Sequence, residues 1–451
     1  MRYLQTKYLG RFVLGCALCL FVRGGLFADM ELSLDGAVEL ALSRNLGLQR
    51  SRIDTQTLKR AKDARWNVLV PGIEASAALN RLNEKPSAAQ GGPSPYTAAG
   101  SVAVRLSLSP AVFTGMKRAV RDYERGLISL ENAGTLLEMD VRKAFYGILL
   151  LEENIKLTRQ NILTAEKRWL QAEENYRNGL VPELDSLSAK VSLENLRPTL
   201  DEEIIAWQEQ LELFKEYLGI EPDENVRITG SIEPAMLPVL DTRPLLASAL
   251  ATRPDLRELK RIRDVSILNR DVVKQSALLP SLSLGWAYSP ELTNPFASGR
   301  WNSRDNFADS GMFTVSLSLA IDNLLPGSPA RVSIAALEDD IQKQESRILE
   351  FTRQAGVEIE TLGRKIHKSQ QTIEALLLNA QLAERTYTLT EEAYRQGSKE
   401  LLTLENAAGE LQSARLHIVR EKYTCITLIL DLEYALGLRF GTLEGLDWKE
   451  K

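Results

Sequence analysis

One plan written twice constrains this chain more than any other feature of it. Asn175-Tyr176-Arg177-Asn178-Gly179 returns as Ala393-Tyr394-Arg395-Gln396-Gly397, and Tyr217-Leu218-Gly219 returns as Ala435-Leu436-Gly437, both at an offset of 218 residues. Upstream, Pro71 pairs with Pro280 at an offset of 209, so a length difference falls in the intervening loops. A repeat of ~200 residues is a statement about architecture. It overrides the two or three domains that length alone suggests. The expected division is a first structural repeat over 29–230, a second over 231–440 and a tail at 441–451.

Each copy passes through the same changes of periodicity. Helical segments at 33–69 and 242–278 come first. Two runs of period two follow: Ile73, Ala75, Ala77, Leu79 and Val102, Val104, Leu106, Leu108 in one copy, then Leu282, Leu284, Trp286, Tyr288 and Phe313, Val315, Leu317, Leu319 in the other. Strict alternation predicts strands with one apolar face, at about 71–80, 101–109, 280–289 and 312–321. Pro71 and Pro280 sit at strand starts, where a missing N–H is tolerated. The period then returns to that of a helix for an unusual length. Stripes from Met116 to Tyr176 and from Ile334 to Tyr394 step at about 3.5 residues, the spacing of a coiled coil. At ~1.5 Å per residue these helices approach ~100 Å, too long for a compact globular domain. Each turns at Gly179 or Gly397 and returns as 183–219 or 399–437, giving helical hairpins over 111–219 and 329–437.

The faces between the apolar positions are polar or small: Gly72, Glu74, Ser76, Ala78; Ala103, Arg105, Ser107; Ser281, Ser283, Gly285, Ala287; Thr314, Ser316, Ser318. One face suits lipid and the other suits water. Strands of ~10 residues tilted near ~45° cover the ~25 Å apolar band of outer-membrane barrels. Polar loops at 82–99 and 290–311 match the longer external loops of such barrels. Four strands cannot close around water, and open edges are intolerable in lipid. Several chains must then share one sheet; three copies would supply about twelve strands, an even number within the known range. Trp286, Tyr288 and Trp301 suit an interfacial aromatic girdle, with ordinary packing the alternative.

The N-terminus sets the compartment. Arg2, Lys7 and Arg11 precede an apolar run from Phe12 to Val22, and Ala28 closes a signal-like segment over 1–28. That run is too short for a membrane helix, which needs ~20 residues. Val13-Leu14-Gly15-Cys16 makes a poor lipid-attachment box. Without 1–28 the chain carries 51 Lys+Arg against 60 Asp+Glu, a net charge of −9. An acidic balance without a basic run argues against nucleic acid. Only Cys425 remains after cleavage, so no disulfide framework is expected, and His367 and His417 are too few for a His-rich metal site. No phosphate-binding glycine loop and no G-x-S-x-G nucleophile motif occurs, so no enzyme activity and no cofactor are expected.

Leu32-Ser33-Leu34-Asp35-Gly36-Ala37-Val38-Glu39-Leu40-Ala41-Leu42 with Asn45 resembles the opening helix of the TolC-type outer membrane efflux proteins. Thr252-Arg253-Pro254-Asp255-Leu256 resembles the turn that opens their second half, Leu279-Pro280-Ser281-Leu282 their strand start, and Tyr176-x-x-Gly179-x5-Asp185 their helical hairpin tip. The order of these elements and the duplication carry the resemblance, which covers 31–440. It implies a mainly α chain with a small transmembrane β portion, built from a duplicated helix–β-hairpin–long helical hairpin unit. It further implies a homotrimer with a 12-stranded barrel in outer-membrane lipid above a 12-helix periplasmic barrel. A periplasmic adaptor (membrane fusion) protein and an inner-membrane transporter are the implied partners.

Counted from the tip glycines Gly179 and Gly397, the resemblance gives Asp185, Tyr394 and Lys399 as a latch that holds the tunnel mouth closed. Thr403 and Asn406 stand where a relative has an aspartate ring, and Glu410 lies one turn further. The expected function is a passive exit duct of an efflux or type I secretion system. A soluble periplasmic coiled-coil adaptor without lipid-facing strands is the alternative.

Overall fold

The computed structural model describes residues 30–81, 83, 96–238, 242–293, 295–296 and 311–445. The signal-like segment 1–28, most of both expected external loops, Trp301 and the end of the tail lie outside these residues. The elements run β1 (Met30–Leu32), α1 (Leu34–Arg44), α2 (Leu46–Ala64), β2 (Gly72–Arg81), β3 (Tyr96–Leu108), α3 (Pro110–Arg177), α4 (Glu183–Leu218) and β4 (Val226–Ile228). They continue with α5 (Thr242–Thr252), α6 (Pro254–Leu278), β5 (Ser281–Tyr288), β6 (Glu291–Thr293), β7 (Met312–Ser318), α7 (Pro329–Arg395), α8 (Leu401–Leu436) and α9 (Thr442–Gly445). The two long helices have 68 and 67 residues.

The backbone repeats as the sequence does. Gly179 and Gly397 adopt φ of 71° and 72°, Gly219 and Gly437 φ of 67° and 65°. Each ends its helix in the same way. Gly179 N–H donates to Tyr176 O and Leu180 N–H to Asn175 O; Gly397 and Ser398 repeat this pair on Tyr394 O and Ala393 O, all at 2.8–2.9 Å. These bonds satisfy orphan carbonyls of the last turn and require a left-handed residue, which glycine supplies without strain.

The chain divides into two compact units that cut across the repeat. One combines Met1–Leu46, Leu137–Met236 and Lys368–Leu428; the other combines Gly47–Leu136, Leu237–His367 and Ile429–Lys451. Each therefore takes segments from both copies.

In the first unit, α1 lays Ala37, Val38 and Ala41 against Val141, Ala144, Phe145 and Ile148 of α3 and against Leu211, Phe214 and Leu218 of α4. Phe145 and Phe214 meet edge to face at 6.3 Å. Each such ring contributes about 1.5–3 kcal/mol on burial. Strands β1 and β4 form a short parallel pair beside this core, Met30 opposite Val226 and Leu32 opposite Ile228. Three residues are too few to show a period, so the sequence reading missed both. Ser33 Oγ accepts from Gly36 N–H at 3.3 Å and caps α1.

In the second unit, Arg253 is 4% exposed at the N-cap of α6. Its Nε donates to both oxygens of Asp255 at 2.9 Å, and its Nη1 to Glu358 at 2.8 Å. Its guanidinium lies 5.1 Å from the Phe351 ring centre. Pro254 follows at the first helical position, where its missing N–H costs nothing. Glu433 is fully buried, and its two oxygens accept from Gly441 and Leu443 N–H at 3.0 and 2.8 Å, capping α9.

The remaining strands form one sheet, also in the second unit, in the order β2-β3-β5-β7 with β6 on β3. Three expected boundaries move, and the simplest is β7, which ends at Ser318 rather than near 321. Strand β3 begins at Tyr96 rather than near 101, because Ala98, Ala99 and Gly100 are small and hide the alternation. Strand β6 falls inside the expected loop 290–311, yet it keeps the register of β5: Val102 faces Tyr288, and Ala99 faces Glu291. The two are one ladder interrupted at Pro290, which has no N–H to give but whose carbonyl accepts from Gly100 N–H at 3.0 Å.

Candidate functional site

The sheet is one-sided. Across all four strands the register brings apolar residues level with apolar residues. Ile73 faces Val104, which faces Trp286, which faces Phe313. Leu106 faces Leu284, which faces Val315; Leu108 faces Leu282, which faces Leu317. The intervening rows are small and polar: Ser107, Ser283 and Ser316 in one, Ser281 and Ser318 in another, with Ser76 and Ser101 joined Oγ to Oγ at 2.8 Å. A slip of one residue in any strand would scatter these faces.

Among the described residues most of this apolar face is uncovered, Leu292 at one end being the buried exception. Ile73 is 76% exposed, Leu317 73% and Phe313 68%, with Leu79, Val315 and Trp286 exposed beside them. Strands β2 and β7 pair on one side only, so each leaves an edge. A broad apolar face between two open edges marks an interaction surface. Among the described residues no helix is long and apolar enough to cross a membrane.

The second place of interest is the pair of helical turns in the first unit. Ala172, Ala189, Leu401 and Leu404 bury Tyr394, with Trp169 and Tyr387 alongside. The two copies differ here: Tyr394 is 7% exposed, but its repeat counterpart Tyr176 is 39% exposed. The Tyr394 hydroxyl is enclosed without a hydrogen bond of ordinary geometry. Burial raises its pKa first, and the charge of Asp185 adds to the rise, which the nearby Asn175 amide partly offsets. Asp185 sits half-buried in the first turn of α4. Lys399 is exposed, and among the described residues no ion pair joins it to Asp185 within one chain. The structure thus brings Tyr394 and Asp185 together and leaves Lys399 apart.

Thr403, Asn406 and Glu410 share the exposed face of α8, opposite buried Leu404, Ala407, Ala408 and Leu411. Gly179 and Gly397 have open space where a side chain would stand. The sequence reading missed a polar clasp across the first turn, Ser186 Oγ donating to Glu173 at 2.6 Å. Burial pairs between α3 and α4 were also missed: Trp207 donates to Glu152 at 3.3 Å and Thr158 to Glu203 at 3.1 Å. Desolvation raises both carboxyl pKa values. Polar residues scattered on long helices give no signal until the partner helix is placed. Cys425 is buried, and the described residues hold no cluster of three or more His, Cys, Asp or Glu side chains suited to a metal.

Residues 245–438 match the family described as outer membrane efflux protein. Over 421 residues the chain is 23% identical to nodulation protein T of Rhizobium leguminosarum bv. trifolii, covering 90% of this chain and 85% of that protein. The fold is shared with the CmeC outer membrane channel of Campylobacter jejuni, at a TM-score of 0.75 and 16% identity over 90% of this chain and 85% of that one. It is likewise shared with the outer membrane protein VceC of Vibrio cholerae, at a TM-score of 0.71 and 16% identity over 90% and 96%. The second half of the chain thus matches the outer membrane efflux protein family, and about nine-tenths of the chain shares the fold of solved outer membrane channels.

Proposed function

We propose that three copies of this chain join their sheets into one twelve-stranded barrel in the outer membrane and serve as a passive exit duct. The register of the sheet carries this reading, because it gathers the alternating apolar residues of all four strands on one largely exposed face. Lipid is the solvent for that face, and the serine and threonine rows suit enclosed water. In hydrocarbon each unmet N–H or C=O costs several kcal/mol. Edge β7 of one copy pairing with edge β2 of the next removes that cost. The soluble-adaptor reading leaves the apolar face in water without a reason.

The long helices of three copies would continue the path into the periplasm and dock an adaptor protein and an inner-membrane transporter, which supplies the energy. At the helical turns, Asp185, Tyr394 and Lys399 would hold the mouth closed, with Lys399 meeting its carboxylate across copies. Lys lacks the bidentate fork of Arg, so such a latch holds loosely. Thr403 and Asn406 put no carboxylate at their level of the mouth, and the substitute ring that Glu410 would supply lies one helical turn away. Divalent cations should therefore block current weakly, and strong block at low concentration would contradict this lining. The duct itself is tested by detergent purification and light scattering: a trimer that conducts in planar bilayers is expected. A monomer, or recovery from the soluble periplasm without detergent, would overturn it.

A further inference from the structure

One row on the polar face of the sheet differs from the others. Gly72, Arg105, Gly285 and Thr314 lie side by side across the four strands. The longest side chain of that face thus has glycine on both adjacent strands. A Cβ added to Gly285 would meet nothing within 4 Å, and one added to Gly72 would meet only backbone, at 3.7 Å. Arg105 is exposed. Neighbouring rows are bounded by Ser107, Ser283 and Ser316 on one side and by Glu74, Ala103, Ala287 and Met312 on the other.

Among the described strand residues this face carries three charges, Glu74, Arg105 and Glu291, so Arg105 is the one cation. No ion pair joins it to either acid among the described residues. Glu291 faces Ala99, six residues along β3 from Arg105. At ~3.4 Å per residue that is ~20 Å, about two Debye lengths at 0.1 M salt. Glu74 faces Ala103, one row away, roughly 7 Å along the strand. Its side chain is shorter than arginine and holds its charge nearer the wall. A ring of fixed charge in a low-dielectric pore focuses ions of the opposite sign.

We propose that Arg105, once per copy, forms a cationic ring in the lumen of the barrel and biases permeation toward anions, carboxylate- and phosphate-bearing solutes included. This rests on the closed barrel of the preceding section. The test is the reversal potential of single channels in planar bilayers under a KCl gradient. In Arg105→Ala the chloride-to-potassium permeability ratio should fall at least about twofold near 0.1 M salt, and the difference should shrink near 1 M, where the Debye length is ~3 Å. Arg105→Lys should keep the wild-type ratio, Arg105→Glu should lower it further, and Glu74→Gln should raise it. A conducting Arg105→Ala channel with an unchanged ratio overturns the ring and leaves the duct standing. A wild-type protein that forms no conducting channel overturns the barrel itself.

Discussion

Gly437 and Gly397 share a backbone conformation but not their surroundings, and the pair makes a controlled experiment. Both have φ near the left-handed region, 65° and 72°. Replacing either by alanine costs about 1–2 kcal/mol for that conformation alone. At Gly397 nothing lies within 4 Å of an added Cβ, so the cost should stop there. At Gly437 the Cβ would stand 2.9 Å from Thr252 Oγ1 and 3.1 Å from Arg253 N. The hydroxyl already donates to Leu436 O at 3.2 Å, and the amide donates to Ala249 O at 2.9 Å, so neither yields freely. Overpacking of this kind adds about 1–3 kcal/mol. Gly437→Ala should therefore lose about 2–5 kcal/mol in all, against about 1–2 for Gly397→Ala. Far-UV circular dichroism of the purified proteins, followed through urea unfolding in one detergent, measures the difference. Equal midpoints for the two variants would refute the reasoning.

Arg253→Ala should destabilise the second unit by about 2–4 kcal/mol, below the ~3–5 expected for a fully buried pair because solvent reaches Glu358. Its urea midpoint, and partial recovery in Arg253→Ala with Asp255→Asn, check this. Glu203 has a raised pKa, so its penalty is absent below the carboxyl range of the unfolded chain and grows as pH rises through the folded value. Glu203→Gln should accordingly raise the melting temperature at pH 7 and flatten its fall between mildly acidic and neutral pH. Burial chiefly, with Asp255 next, pushes the Tyr434 phenol up to about 12 from 10.0. The stability it contributes is intact below pH 10 and lost as pH rises toward 12, so Tyr434→Phe should melt less steeply with pH across that interval.

The duplication, the strands and the long helical hairpins were legible because each leaves a period in the sequence. Alternation named the faces of single strands but not their neighbours. Only the pairing of Val104 with Trp286 and of Trp286 with Phe313 shows that these faces merge. Strand β6 was hidden by Pro290, which reads as a break yet sits inside a continuous register. Arg253 was noticed as part of a motif, but its bond to Glu358, 105 residues away, has no local signature. The turn glycines could be read from spacing, whereas the grouping of Lys399 with Asp185 came from the resemblance, and no ion pair joins the two within one chain among the described residues.

The central claim is that lipid meets one face of the sheet and enclosed water the other. Single cysteines at 313 to 318 in β7, probed in native outer membranes with a charged, water-borne thiol reagent, test it most directly. Positions 314, 316 and 318 should react, and 313, 315 and 317 should stay protected until detergent is added. Equal labelling along the whole run would contradict the account.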